Sequence, residues 1–201
     1  MPPPNILYLH SHDTGRYVQP YGQQVPTPNI QALADQGVLF RQAFCAAPTC
    51  SASRACLLTG QYGHVNGMLG LAHRGWSLRD YHHHMVNVLR GAGYRSILIG
   101  EQHIAKEPAA IGFDEVMKIP TTGVETVAPL ALEVLRRDHD RPLFLSVGFF
   151  ETHREFIGPG SLNSRCAATS RASRRARARS TTGSAWCSAR STRPDWTATR
   201  S

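Results

Sequence analysis

A cysteine followed four residues later by an arginine stands at the centre of segment 48–60, which reads Pro-Thr-Cys-Ser-Ala-Ser-Arg-Ala-Cys-Leu-Leu-Thr-Gly. A helix predicted over residues 53–58 would begin just after Cys50, so its N-terminal amides and dipole would stabilise a negative group there. Arg54 would lie over the same helix end and could pair with a dianionic substrate. Cys50 has two other interpretations, a small buried apolar side chain and a thiolate nucleophile with a histidine base.

Side chains that bind metals or transfer protons also follow three predicted strands. They are His12 and Asp13 after the first strand, Glu101, Gln102 and His103 after the second, and Glu151, His153 and Glu155 after the third. Ligand sites of open α/β sheets lie beyond the carboxyl ends of the strands. A single histidine is more often structural than functional, but three clusters in corresponding positions favour a functional site at that edge.

Strands and helices alternate in the part of the chain that carries these groups. Apolar runs predict strands at Ile6–His10, 94–99 and 143–149, an extended segment at 38–44, and helices at 28–36, 53–58, 85–89 and 124–137. Strands separated by helices favour a mainly parallel sheet with right-handed crossovers. The predicted fold class is therefore α/β, with the sheet sandwiched by helices.

The helix at 28–36 has the clearest predicted boundaries. Thr27 supplies an N-cap, Pro28 the first helical residue, and Gly37 the residue after the helix end. The apolar residues along this helix are Ile30, Leu33 and Ala34, and those along the helix at 124–137 are Val127, Leu130, Ala131, Val134 and Leu135. This spacing is typical of one apolar face on each helix.

The basic excess lies at one end of the chain. The 201 residues have a formal net charge of +8 and a pI near 9.7, which by itself suggests a nucleic-acid partner. Basic and acidic side chains are equal in number in residues 1–160, which also hold all ten histidines. The whole excess therefore lies in residues 161–201, where Arg, Ala, Ser and Thr dominate and large apolar residues are scarce.

This composition predicts a partial α/β domain over residues 1–160 and a disordered, low-complexity basic tail over 161–201. The tail is either an arm that binds nucleic acid through phosphates or the product of a shifted reading frame through GC-rich DNA. The abrupt change in composition favours the shifted frame.

The number of cysteines and the first residues of the chain give an expectation for the cellular compartment. Five cysteines are an odd number without a CxxC pair, which argues against a disulfide scaffold and against a zinc ribbon. Residues 1–9 lack the basic and apolar regions of a signal peptide, and no membrane span is expected. The default expectation is a cytoplasmic protein.

The run Cys-Ser-Ala-Ser-Arg-Ala-Cys-Leu-Leu-Thr-Gly resembles the signature of the sulfatase family, in which the cysteine is converted after translation to formylglycine. The usual signature has proline where Ala52 stands. Similar segments lie at 5–15, 25–44, 61–68 and 94–103, and the resemblance, over roughly residues 5–160, is to the sulfamidase-like (heparan N-sulfatase-like) branch. It implies the N-terminal half of an alkaline-phosphatase-like fold.

The resemblance also implies a metal site and a nucleophile. Asp13 corresponds to a carboxylate that binds a divalent metal, usually Ca²⁺, and His12 stands where many members have a second aspartate. A neutral imidazole is a poorer calcium ligand than a carboxylate, so the metal's identity stays open. Cys50, as hydrated formylglycine, would supply the nucleophilic oxygen and a further metal ligand, and Arg54 would orient that diol and neutralise charge.

Two histidines complete the implied catalytic set. His103 matches the histidine of a Gly-Lys-x-His element, although Glu101 replaces the lysine and thereby reverses a charge beside the sulfate site. His153 matches a histidine that contacts the sulfate or protonates the leaving group. Each of the two also has a purely structural interpretation.

The implied reaction is hydrolysis of a sulfate ester or sulfamate on a small molecule or saccharide. A diol oxygen attacks sulfur, a general acid assists the leaving alcohol or amine, and collapse of the hemiacetal expels sulfate. Family members are longer, and residues 161–201 do not resemble their second half, which contributes further metal and sulfate ligands. The activity of this chain is therefore expected to be impaired.

Two alternatives are kept beside this one. The first is a phosphoryl or phosphonate hydrolase of the same superfamily. The second is a non-enzymatic nucleic-acid binder that uses the basic tail, and it is disfavoured because no aromatic stacking motif accompanies the arginines. No membrane partner is expected, and the oligomeric state is left open.

Overall fold

A computed structural model describes residues 3–153 of the chain. Its internal contacts divide the chain into two compact units, one formed by Met1–His10 and Gln42–Phe149 and the other by Ser11–Arg41 and Phe150–Ser201. The predicted boundary at residue 160 and the predicted disordered tail lie outside the described residues and stay predictions.

The first unit contains a four-stranded parallel sheet. Its strands are β1 (Ile6–His10), β2 (Arg95–Gly100), β3 (Glu115–Val116) and β4 (Leu143–Gly148), in the order β1-β4-β2-β3. All of the strand pairs are parallel, and β4 aligns Gly148 with both His10 and Gly100. The predicted parallel sheet is confirmed, whereas β3, with only two residues, carries too little periodicity to be predicted.

Among residues 3–153 the α-helices are α1 (Pro28–Gln36), α2 (Cys50–Thr59), α3 (Gly63–Asn66), α4 (Met85–Gly91) and α5 (Val124–Arg136). Helix α1 belongs to the second unit and the other helices to the first. Short 3-10 turns lie at Gln19–Tyr21, Ala72–Arg74, Tyr81–His83 and Pro108–Ile111. None of the helices described is long and apolar enough to cross a membrane.

Strand β4 organises the core of the first unit. It lies between β1 and β2, and all of its residues are buried. Phe144 packs in a buried cluster with Ala52 and Ala55 of α2. Helix α5 contacts β2 and β4 and buries Val127, one of its predicted apolar residues. The sheet is thus packed against helices, as the alternating strand and helix pattern predicts.

Helix α1 has its predicted bounds but not its predicted cap. The Thr27 hydroxyl accepts a hydrogen bond from the Gln19 backbone N–H (2.9 Å), and the Gln19 side-chain oxygen accepts one from the Thr27 N–H (3.1 Å). The Thr27 side chain therefore bonds to the turn at Gln19–Tyr21 and does not cap α1. Gly37 has φ −125°, an extended conformation rather than the left-handed one expected of a residue after a helix end.

The apolar segment 38–44 is not a strand, contrary to the sequence-based expectation. Val38 is 79% exposed and Phe44 90% exposed, and a turn at residues 41–42 interrupts the segment. Leu33 of α1 is likewise 63% exposed. Residue types predict that a segment tends to be extended or that a helix has an apolar face. A strand forms only where another strand pairs with its backbone, and an apolar face is buried only where another element packs on it.

Candidate active site

Helix α2 brings Cys50 and Arg54 to one helix end. It begins at Cys50, earlier than predicted, because Thr49 is the extended N-cap residue, and it ends before Gly60. The half-buried Cys50 is therefore the first helical residue, where backbone N–H groups have no acceptor within the helix. An anionic oxygen attached at this position would be stabilised by those amides and by the helix dipole.

The guanidinium of Arg54 is held by His10, the last residue of β1. Arg54 Nη1 lies 2.6 Å from His10 Nδ1. Arginine has only donors, so the histidine nitrogen must be the acceptor, which assigns the ring proton to Nε2 in the neutral form. An imidazole acceptor orients Arg54 without neutralising its charge.

Two glycines allow the ends of β2 and β4 to approach closely. A Cβ on Gly148 would stand 2.0 Å from the Glu101 carbonyl oxygen and 2.5 Å from His10 Cε1. A Cβ on Gly100, whose φ is +84°, would stand 2.0 Å from the Gly148 carbonyl oxygen. Side chains are excluded at both positions, and the His10 ring occupies the space over Gly148.

Glu101 and His103 form a pair beyond the end of β2. Glu101 Oε1 lies 3.1 Å from His103 Nε2, and Glu101 Oε2 accepts a hydrogen bond from the Thr122 hydroxyl at 3.3 Å. His103 has φ +57°, a left-handed conformation that costs free energy in a residue other than glycine. The glutamate that stands in place of the family's lysine is thus the partner of the neighbouring histidine, which gives the charge reversal a physical role.

A small cavity in the first unit is lined by several polar side chains near Arg54. Its volume is about 10 Å³, on the scale of one water molecule, and its lining includes His10, Arg54, His84, Gln102 and Ser146. His84 accepts a hydrogen bond at Nδ1 from the Val86 N–H (3.1 Å), while its buried Nε2 has no hydrogen-bond partner among residues 3–153. Burial lowers the pKa of His84 from 6.5 to about 4, so its ring is neutral at pH 7.

The second unit brings together His12, Asp13 and His153. His12 Nδ1 lies 3.0 Å from Asp13 Oδ1, and His153 Nε2 lies 4.0 Å from Asp13 Oδ2. The two imidazole rings meet edge to face, with centroids 4.6 Å apart. One donor atom from each of the three residues lies within 4.8 Å of the other two. The predicted pair His12 and Asp13 is thus joined by a third residue.

Backbone hydrogen bonds hold the chain at His12. Its N–H donates to the Glu151 carbonyl (2.8 Å), and its carbonyl accepts from the Thr152 N–H (2.7 Å) and the Thr152 hydroxyl (3.0 Å). His12 is only 2% exposed, and Asp13 has a left-handed φ of +52°. Such restraint on both sides of the cluster fixes the position of the donor atoms before any ligand arrives.

The donor set of this cluster fits a divalent metal but does not favour calcium. Two imidazole nitrogens and one carboxylate are ligands typical of zinc, iron, cobalt, nickel or copper, whereas calcium takes oxygen ligands. The predicted assignments of Asp13 and His12 as metal ligands are chemically consistent with this cluster. Cys50 belongs to the first unit, and its assignment as a metal ligand stays a prediction.

Sequence reasoning missed three contributors to these arrangements. His10 is the last residue of the predicted strand Ile6–His10, His84 is the last of three adjacent histidines, and Thr152 stands between Glu151 and His153. The signal for His10 was a histidine at the carboxyl end of a strand, the same signal that identified His12. No spacing rule connects His10 with Arg54, because they meet only through the packing of α2 on β1.

The chain is similar over most of its length to one family. A family model described as Sulfatase matches residues 4–191. Human N-sulphoglucosamine sulphohydrolase is 34% identical over 168 residues, which cover 76% of this chain and 32% of the relative. N-acetylgalactosamine-6-sulfatase of Sus scrofa is 35% identical over 129 residues, which cover 56% of this chain and 25% of the relative. The chain thus matches about a third or less of these relatives' length.

Solved structures share the fold. BT4656 in complex with its substrate D-glucosamine-2-N,6-O-disulfate has a TM-score of 0.66 and 23% identity, over 77% of this chain and 35% of that one. BT1596, a 2-O GAG sulfatase, has a TM-score of 0.71 and 16% identity, over 91% of this chain and 53% of that one. At these identities the likeness establishes the alkaline-phosphatase-like fold alone.

The phosphoryl-hydrolase and nucleic-acid-binding alternatives are not favoured by these matches, which are to sulfatases. The fold expected from the resemblance is confirmed by the parallel sheet and by the structural neighbours. The match to the family model extends over well more than half of the chain. The chain therefore belongs to the sulfatase family, whose members are sulfuric ester hydrolases that generally depend on a metal and on formylglycine.

Proposed function

We propose that the protein hydrolyses a sulfate ester or sulfamate on a saccharide, with formylglycine derived from Cys50 as the nucleophile. The observation that carries this proposal is the placement of Cys50 as the first residue of α2, one turn before Arg54, which His10 orients. The chain matches only about a third of the length of human N-sulphoglucosamine sulphohydrolase, so the activity of that relative comes to this chain as a proposal.

Residues of α2 would bind and orient the sulfate. Arg54 offers a full positive charge beside the helix N-terminus, and the free amides of the first turn add donors on the same end. Both stabilise the negative charge that spreads over the sulfuryl oxygens as the ester bond breaks. His12 and Asp13 of the second unit are the candidate ligands of a divalent metal, which would act as a Lewis acid when bound.

His103 is the proposed general acid. Its Nε2 contacts the Glu101 carboxylate, and a carboxylate partner orients an imidazole for proton transfer. Glu101 in turn is held by the Thr122 hydroxyl. His103 would donate its proton to the departing alcohol or amine, and the negative partner would offset the positive charge that His103 carries before the transfer.

The relatives support the proposed substrate class. Human N-sulphoglucosamine sulphohydrolase acts, by its name, on a sulfamate of a sugar, and it is 34% identical to this chain over the matched residues. A sulfated saccharide with N- or O-sulfate is therefore the proposed substrate. The cytoplasmic location expected from the sequence stays a prediction.

The test is the chemical state of Cys50. The chain is expressed together with a formylglycine-generating activity, and the peptide that contains residue 50 is analysed by mass spectrometry and by reaction with an aldehyde-specific hydrazide. We expect an aldehyde at residue 50 in the wild-type chain and none in Cys50→Ala. The exposed Cys45 provides the matched control, since Cys45→Ala should leave the aldehyde unchanged.

Hydrolysis of an aryl sulfate, with the corresponding aryl phosphate for comparison, is measured on the same samples. Sulfate release that is lost in Cys50→Ala and retained in Cys45→Ala supports the proposal. An unmodified thiol at residue 50 together with turnover that survives Cys50→Ala would contradict it. Preference for the phosphate would favour the phosphoryl-hydrolase alternative.

A further inference from the structure

We propose that His12, Asp13 and His153 bind a transition-metal ion of the zinc class in preference to calcium, and that His153 is a metal ligand. The inference rests on the proposed sulfatase function for its biological role. The binding itself is measured without catalysis, so either proposal can fail alone.

The chemistry of the donors separates the two kinds of metal. Calcium is a hard ion that takes six to eight oxygen ligands, and each imidazole in its shell replaces an oxygen. Imidazole suits zinc, iron, cobalt, nickel and copper, and a set of two histidines and one carboxylate with open positions is a recurring site for such ions. Two of the three donors here are imidazole nitrogens, those of His12 and His153.

The distances agree with this assignment. Zinc binds nitrogen and oxygen at about 2.1 Å, so neighbouring ligands of a tetrahedral site lie about 3.4 Å apart. The contact of His12 Nδ1 with Asp13 Oδ1 is 3.0 Å, and that of His153 Nε2 with Asp13 Oδ2 is 4.0 Å. Small side-chain rotations at Asp13 and His153, which are both partly exposed, bring the three donors to one ion.

The position of His153 is set by its packing. Its ring stacks on Phe150 with centroids 4.8 Å apart, and it meets the His12 ring edge to face. The preceding residue, Thr152, is fixed to the His12 carbonyl by two hydrogen bonds. The same contacts that place His12 therefore place His153, so the chain presents both imidazoles to one point.

Other groups of this chain could also bind zinc and must be separated in the experiment. Asp80 lies 2.9 Å from His82 Nδ1 and 3.8 Å from His83 Nε2 on an exposed turn. The cysteine thiols are a second competitor, since thiolates bind zinc strongly. Substitution at each competitor provides a matched control for substitution at the proposed ligands.

The experiment titrates the full chain with Zn²⁺ in excess Ca²⁺, using a chromophoric chelator as competitor, and repeats the titration with Co²⁺. We expect one tight zinc site that calcium does not displace. The Co²⁺ absorption should be that of a nitrogen and oxygen site, without the intense charge-transfer bands of a thiolate. His12→Asp restores an oxygen donor, so it should weaken zinc binding on the order of 10–100-fold and strengthen calcium binding.

The variants decide the assignment. His153→Gln should weaken zinc binding as His12→Asp does, while His82→Ala and Cys45→Ala should leave it unchanged. Circular dichroism at matched temperature identifies a variant that has lost its fold, and His12→Asn, which keeps the backbone bonds of residue 12, then replaces it. Calcium preference in the wild-type chain, or zinc binding that survives loss of His12 and His153 but not of His82 or Cys45, overturns the proposal.

Discussion

The contact between Arg54 and His10 shows how a neutral acceptor can serve an anion site. A carboxylate in the place of His10 would orient the guanidinium but would also cancel its charge. The imidazole accepts at Nδ1 over a distance of 2.6 Å and leaves the positive charge in place. Under the proposed function Arg54 attracts the anionic sulfate group of the substrate, and a neutral partner leaves its charge for that purpose.

Replacement of His10 tests this arrangement. His10→Leu removes the nitrogen that accepts the hydrogen bond from the half-buried Arg54 guanidinium. We therefore expect the free energy of unfolding to fall by about 1–3 kcal/mol. His10→Asn offers an oxygen near the position of Nδ1 and should lose less. Urea unfolding of both variants measures the difference, and equal losses would show that the hydrogen bond contributes nothing.

His84 should make the stability of the first unit depend on pH. Burial lowers the pKa of His84 to about 4, whereas its ordinary value is 6.5. Between these values the unfolded chain binds a proton that the folded chain does not bind, so stability is complete above pH 6.5 and falls as the pH drops towards 4. The expected loss from this residue is about 2 kcal/mol between pH 7 and pH 5.

The measurement compares wild type with His84→Asn by urea unfolding at both pH values. Asparagine can replace the cap that His84 provides to α4, in which His84 accepts from the Val86 N–H, but it does not titrate. Relative to wild type, His84→Asn should therefore be more stable at pH 5 than at pH 7. A difference that does not change with pH would contradict the buried, neutral state of His84.

At the scale of elements, sequence patterns predicted what depends on local periodicity. The bounds of β1 and α1 and the core of β4 follow from apolar runs and from Pro28, and the structure has them at the predicted residues. Pairing is not local, so segment 38–44 was wrongly expected to be extended. Helix α2 begins earlier than predicted, because Cys50, Ser51 and Ala52 have no strong helical signal before the apolar run starts.

The close approach of β2 and β4 depends on Gly100 and Gly148. We expect Gly148→Ala to lower the free energy of unfolding by about 3 kcal/mol or more, because its Cβ would meet the Glu101 carbonyl oxygen at 2.0 Å. Backbone cannot move aside as a flexible side chain can. Gly91, the last residue of α4, has nothing within 4 Å of a built Cβ and is the matched control.

Gly91→Ala should raise stability by about 0.5–1 kcal/mol, since alanine is favoured over glycine in a helix. Thermal and urea unfolding of the two variants measure the contrast. If Gly148→Ala were as stable as wild type, the close approach of β4 to residue 101 would be wrong. The methyl group of Gly148→Ala also faces the His10 ring. We therefore expect the His10 ring to move away from Arg54 in that variant.

At the scale of the whole molecule, the position of residues at the ends of strands predicts which side chains belong to a candidate site. It does not predict which side chains they contact. His12, Asp13, His103 and His153 were selected by that rule, and the structure unites three of them in one cluster. The partners of the selected residues were not foreseen. Glu101 pairs with His103 and His10 with Arg54 through side-chain geometry that only the folded chain defines.

Removal of the basic residues of 161–201 should not affect the metal site or the modification of Cys50. Residues 161–201 carry the entire net charge of +8, whereas every candidate site residue precedes residue 160. Deletion of 161–201 should therefore abolish retention on DNA at low salt, a purely electrostatic effect. The same deletion should leave zinc binding by His12, Asp13 and His153 and the conversion of Cys50 unchanged.

A full-length variant with glutamine at five tail arginines, Arg171, Arg174, Arg175, Arg177 and Arg179, is the matched control, because it removes charge without removing chain. It should lose most of the DNA retention and bind zinc as the wild type does. DNA retention that persists in the deletion would assign nucleic-acid binding to residues 1–160, whose charges balance. Loss of zinc binding in the deletion but not in the glutamine variant would show that the tail contributes to the metal site through its chain rather than its charge.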